Sequence, residues 1–107
     1  MSTRAEFQAR RDRDSSTFDN SYQTLGIALT DPSVLVLIQN NSNVDVDLST
    51  DGVTDHSFVA KSSFVLFDLR ANRGHSYDLA FAKEVQFYIK GAAAGSGDVM
   101  LTVIQEA

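Results

Sequence analysis

Apolar and polar residues alternate along most of this chain with a period of two, and where they do not, the departure is informative. Residues 34–38 (VLVLI) are five apolar residues in a row, which predicts a strand buried on both faces. After the polar knot 39–43 comes VDVDL, residues 44–48, a strict alternation closed by Asp51-Gly52. That pattern predicts a strand with one dry face and one wet face, ended by a hairpin turn.

The same reading predicts further strands. Residues 22–29 (YQTLGIAL) alternate with a break at Gly26, where an interior glycine marks a bulge or a close backbone approach. Thr30-Asp31-Pro32-Ser33 is a turn. The segment 40–43 (NNSN) reads as a hairpin connection, and 53–59 as a less regular returning strand. Residues 63–69 (SFVLFDL) are a second strongly apolar strand. A loop at 71–74 and a weaker strand at 75–81 follow. In 84–90, Val85, Phe87 and Ile89 point inward against Gln86, Tyr88 and Lys90. Residues 91–97 (GAAAGSG) are a flexible loop, and 99–104 a last strand with Val99, Leu101 and Val103 on one face. About eight strands, no sustained helical period and frequent turn signals predict an all-β fold: an antiparallel β-sandwich, jelly-roll-like, over residues 21–107.

Residues 1–20 break the pattern. They are polar, with two isolated phenylalanines, Phe7 and Phe18, and the basic cluster Arg10, Arg11, Arg13. They read as an extended N-terminal arm, with a disordered tail as the alternative. Four arginines and four acids cancel within the arm, so the net charge of −5 sits on residues 21–107. Opposite signs suit docking of the arm on a neighbouring subunit, with Phe7 and Phe18 as anchors. The doubly apolar strand raises a related question, because Leu35 and Leu37 need cover on the side away from the core. The arm or a second subunit would supply it. Phe7, Arg10, Arg11, Arg13, Phe18, Leu35 and Leu37 are therefore the candidate interface residues.

Charge and composition narrow the function. A net charge of −5 argues against nucleic-acid binding. There is no cysteine, which excludes disulfides, thiolate metal sites and thiol catalysis. No apolar run approaches the ~20 residues that span a bilayer, and no signal-peptide pattern opens the chain. The carboxylates Asp45, Asp47, Asp51 and Asp55 cluster around one hairpin and raise the possibility of a Ca²⁺ site, but their spacing fits a solvated strand face and an Asp-Gly turn better. His56 and His75 share no ligand or triad spacing, and Asp55 and His56, adjacent on a strand, point to opposite faces. The glycine loop 91–97 lacks the Gly-Lys-Ser/Thr ending of a phosphate-binding loop. The Asn40-Asn41-Ser42 sequon is read as chance. These residues predict no catalytic, cofactor or metal site.

The order SYQTLG, VLVLIQNNSNVDVDLSTDG, DHSFVAKSSFVLFDLR, FYIKG, a glycine loop and a closing apolar strand resembles small β-sandwich virion structural proteins of tailed bacteriophages. The resemblance covers residues 21–107. It implies assembly without enzyme activity or cofactor, in a virion built in the host cytoplasm. A capsid decoration or cement subunit, bound to the major capsid protein and forming a homo-oligomer such as a trimer, is the expected role. A head–tail junction, neck, or tail or spike-attachment component is the alternative. From another class, a Ca²⁺- or carbohydrate-binding sandwich remains open.

Overall fold

The structure is a computed structural model that describes residues 5–69, 81–92 and 95–106. Among the described residues nine strands form two antiparallel sheets: β1 Ala5–Phe7, β2 Arg11–Asp14, β3 Gln23–Thr24, β4 Ser33–Asn40, β5 Val46–Ser49, β6 Ser57–Val59, β7 Ser63–Asp68, β8 Tyr88–Gly91 and β9 Asp98–Glu106. The first sheet runs β1-β9-β4-β7, with β2 also on β9. The second runs β3-β8-β5-β6. This is the all-β antiparallel sandwich that the alternation predicts. The expected loop 71–74 and most of the expected strand 75–81, including His75, lie outside the described residues, as does part of the glycine loop.

The core sits between the sheets and comes from the predicted inward positions. Val36 and Ile38 of β4 and Val99, Leu101 and Val103 of β9 are buried from one side. Val46, Leu48, Phe87 and Ile89 meet them from the other. Phe67, Phe81 and Phe87 stack edge to face, with ring centroids 6.0 and 5.4 Å apart.

Connections depart from the sequence reading in one instructive place. The segment 40–43 does not close a hairpin, because β4 and β5 lie in different sheets. It crosses from one layer to the other. Asn40 explains why: it is buried and fully engaged. Its amide donates to the carbonyls of Val44 (2.8 Å) and Val59 (3.1 Å), and its Oδ1 accepts from the Ser42 backbone at 3.1 Å. The asparagine thus ties the end of β4 to Val59 of β6 and to Val44 just ahead of β5, which satisfies carbonyls that the crossing would leave bare. β5 and β6 do pair antiparallel through the Asp51-Gly52 turn, as expected, with Gly52 at φ +77°.

The strand expected at 22–29 is regular only over β3. Beyond it the backbone still bonds to its neighbour, Leu25 N–H to the Phe87 carbonyl (2.8 Å) and Leu29 N–H to that of Val85 (2.9 Å).

Candidate functional site

The two sheets present different outer faces, and the difference follows the two sequence patterns at the heart of the chain. In antiparallel pairs, directly opposed residues share a face. On the first sheet the register sets Leu35 beside Ile104, Leu37 between Thr102 and Leu66, and Gln39 between Met100 and Phe64. Phe7 joins the first of these rows through Ile104, and Asp12 joins the third through Met100. The central row, Thr102–Leu37–Leu66, carries no charge. Large side chains protrude from this face: Phe7 is 73% exposed, Phe64 64% and Leu66 48%. Acids stand at both ends: Asp14 opposes Asp98 beside Asp12 at one, and Asp68 is set beside Leu35 at the other.

On the second sheet the outer positions mix polar side chains with Phe58, which is 57% exposed. Asp47 lies between Phe58 and Lys90, and Ser49 beside Tyr88. The β5–β6 connection folds over this side, with Gly52 against the Tyr88 ring. Lys90 Nζ sits 3.3 Å from the Asp55 carboxylate and 4.7 Å from the centre of the Tyr22 ring. The Tyr22 hydroxyl donates to Asp55. Burial and this bond raise the Tyr22 hydroxyl well above the ordinary tyrosine range, while the Tyr22 and Lys90 bonds hold Asp55 below the usual carboxylate range.

Of the candidate Ca²⁺ carboxylates, Asp45, Asp51 and Asp55 accept bonds from protein donors. Asp51 Oδ1 accepts from the backbone N–H groups of Thr54 (2.7 Å) and Val53 (2.8 Å) and from the Ser49 hydroxyl (2.8 Å), which depresses its pKa strongly. Asp45 accepts from the Lys61 N–H at 2.8 Å. His56 Nδ1 accepts from the Thr50 N–H at 3.0 Å, its other nitrogen 4.0 Å from Asp51. These are turn-forming bonds. Among the described residues no three histidines or acids converge as a metal site would require. A cavity of about 260 Å³ opens between the sheets beside Leu48, His56, Phe67, Phe81 and Phe87. Its walls are mostly apolar, and the described polar groups there serve the turn.

The seven expected interface residues separate into two groups. Phe7, Leu35 and Leu37 share the apolar outer face, with Leu35 and Leu37 half-buried among their neighbours. Arg10 is exposed, 3.9 Å from Asp12. Arg11, Arg13 and Phe18 instead bind their own chain. Phe18 is 3% exposed, within the core and against Gly91. Arg11 is 5% exposed and donates to the carbonyls of Ile27 and Ala28 (both 2.9 Å) and Ala9 (3.0 Å) and to Gln8 Oε1 (2.9 Å). Its desolvation lowers its pKa. Arg13 bonds Gln23 at 2.8 Å and the Thr24 carbonyl at 3.0 Å.

Residues 5–7 and 11–14 are therefore sheet. β1 and β2 lie end to end along the edge of β9. They extend the sheet in its own plane and leave the outer sides of Leu35 and Leu37 uncovered. The physical reason is the free edge of β9, whose backbone groups need partners. Phe64, Leu66, Met100 and Ile104 were not among the sequence-derived candidates. The signal for them was the same as for β4, since SFVLFD and VMLTVI are also apolar on both parities.

No protein-family model and no curated protein matches the chain. Among solved structures it is similar to the Dit protein (gp 19.1) of SPP1, described as a paradigm of the hub adsorption apparatus in phages that infect Gram-positive bacteria. The similarity has 10% identity and a TM-score of 0.44, over 94% of this chain and 49% of that one. The chain thus spans about half the length of that protein.

Proposed function

We propose that the protein is a non-enzymatic structural subunit of a tailed-phage virion, most specifically a capsid decoration subunit. The observation that carries an assembly role is the apolar outer face of the first sheet. A small sandwich that worked alone would be expected to turn mainly polar side chains outward from both sheets; the second sheet sets Asp47, Lys90 and Tyr88 outward alongside Phe58, whereas the first carries rows of apolar ones. Three exposed large apolar side chains, joined through half-buried ones into rows, mark a contact surface. The motif order in residues 21–107 supplies the virion context, through its resemblance to phage structural proteins.

The test is location. Particles released by cells carrying the gene are purified, probed for the chain by mass spectrometry, and imaged after gold-antibody labelling. Labels over the capsid lattice are the expected result. Labels confined to the neck or tail would replace the decoration role with a junction or tail role. Absence of the chain from purified particles would overturn the virion reading altogether.

A further inference from the structure

We propose that the outer edge of β7 is a docking edge and that its occupant is β7 of a second copy. The two strands pair antiparallel about a two-fold axis at Val65, so that Phe64 of each copy lies beside Leu66 of the other. The inference stands on the strand edge and does not depend on the virion role.

Backbone geometry defines the edge. Antiparallel neighbours exchange both of their bonds at every second pair. Leu69 N–H donates to the Val34 carbonyl (2.9 Å), and Asn41 N–H, on the opposite side of β4, donates to that of Asp98 (2.9 Å). With the register of β4 and β7, both bonds assign Val65 and Phe67 to the β4 side and turn the N–H and C=O groups of Phe64 and Leu66 away from the sheet. Neither residue has a backbone partner on that side among the described residues. A free edge invites pairing, and the other outer strands are blunted against it. β3 and β6 have two and three residues. The edge formed by β1 and β2 is interrupted at residues 8–10, and along β2 Arg11 and Arg13 reach across to the carbonyls of Ile27, Ala28 and Thr24. β7 has none of these devices. It keeps six residues in unbroken register with β4, without proline or lysine, and its one charge, Asp68, stands at its end.

Three observations select a second β7 as the occupant. First, the strand is complementary to itself in its bonds. Phe64 and Leu66 both bond outward and are two apart, so each can exchange N–H and C=O with the other residue of the second copy. Second, it is complementary in its side chains, because opposed residues share a face. The exposed Phe64 and Leu66 meet each other twice on the outer side, and Val65 meets itself on the axis. Third, charge fixes the register. An axis at Leu66 would oppose Phe64 to Asp68 twice. With the axis at Val65, Asp68 instead comes alongside the Ala60–Ser63 turn of the second copy, where Lys61 is exposed and Asp45 accepts the Lys61 N–H, and no carboxylate opposes another along the strand. Head-to-tail extension of the sheet would have only the three residues of β1 to build on. A strand edge is a small contact, below the ~1,200 Å² of stable specific interfaces, so the dissociation constant should be micromolar or weaker.

Sedimentation velocity of the full chain from about 1 µM to about 1 mM tests the pairing, with amide hydrogen exchange followed residue by residue at both ends of that range. A monomer–dimer equilibrium is expected, and the Phe64 and Leu66 amides should exchange at least about threefold more slowly in the concentrated sample, which contact through a sheet face would not produce. Phe64→Glu and Leu66→Lys should each weaken association at least about tenfold. Combined in one chain, they set the new carboxylate of each copy beside the new ammonium of the other, and association should recover. Leu66→Pro removes only an outward N–H and should give a folded monomer, whereas Val65→Pro removes a bond to β4 and should cost much of the fold. Val53→Lys, at an exposed apolar site on the β5–β6 connection, should leave association unchanged. A monomer at the highest concentration, a dimer without added protection at Phe64 and Leu66, assembly that continues past the dimer, a dimer retained in Leu66→Pro, or a double variant no tighter than either single one overturns the proposal. Should Leu66→Pro fail to fold, exchange in the unaltered chain decides. A monomeric chain found in the virion would overturn the pairing alone. A dimeric chain absent from the virion would overturn the virion role alone.

Discussion

At the scale of single residues, one of the tight joins among the described residues is between Arg11 and Gly26. The glycine takes φ +69°, and a Cβ there would lie 2.4 Å from Arg11 Cβ and 2.5 Å from Cγ. The break in the 22–29 alternation already signalled a close approach, because an interior glycine weakens a strand unless something must come near. What approaches was not legible, since an arginine in a polar segment reads as solvated and its partners are backbone carbonyls, which leave no mark in side-chain pattern. Gly26→Ala should therefore cost about 2–3 kcal/mol, from the unfavourable φ and the displaced arginine together. Urea unfolding of wild type and variant measures it. A loss below about 0.5 kcal/mol would show that the contact is slack.

At the scale of elements, pattern was a good guide to strands and a poor one to their neighbours. The inward residues of β5 and β8 follow from alternation alone, because one buried face fixes which parity is apolar, whereas β4 and β9 are apolar on both parities. Sheet membership does not follow, and NNSN read as a hairpin because asparagine serves equally well in a turn or, buried as Asn40 is, in a crossing. The N-terminal segment is the larger lesson. RDRD has no apolar side chains to declare a strand, yet β2 forms because β9 offers a free edge and because Phe18, just beyond, fills the core. From sequence, removing residues 1–20 should leave a folded domain. The pairing of β2 with β9 and the burial of Phe18 argue for the opposite outcome. The deletion exposes the edge of β9 and removes a buried phenylalanine, whose truncation to alanine alone typically costs ~3–5 kcal/mol. Against the ~5–15 kcal/mol of a small domain, residues 21–107 should be largely unfolded at 25 °C, whereas deleting only residues 1–9 should leave a cooperative melt. Circular dichroism separates the two. A full-strength melt from 21–107 would restore the segment to the status of a detachable arm.

At the scale of the whole molecule, bonded carboxylates and one bonded phenol define the pH range in which the sandwich is most stable. Asp14, Asp19, Asp51 and Asp55 all have depressed pKa values, the first three chiefly from hydrogen bonds to nearby N–H or hydroxyl groups, the last from Tyr22 and Lys90. An unfolded aspartate takes up its proton near pH 3.9, and these folded ones do so lower. The unfolded chain thus binds more protons in that window, and the stabilisation present above pH ~4 is lost as pH falls through the folded values. Tyr22 works at the other end. Its folded pKa is raised, so its contribution is complete below the unfolded value near 10 and is lost as pH climbs through the folded one. Melting temperature against pH should therefore be a plateau with a fall below about 4 and another above about 10. Tyr22→Phe should flatten the alkaline fall, since nothing remains at that position to ionise, and lower the plateau slightly through the lost bond to Asp55. Asp51→Asn should flatten the acid fall while loosening the β5–β6 turn. An alkaline fall unchanged in Tyr22→Phe would assign it to the lysines and the other tyrosines, and would mean that the Tyr22–Asp55–Lys90 group does not hold the polar side of the second sheet in place.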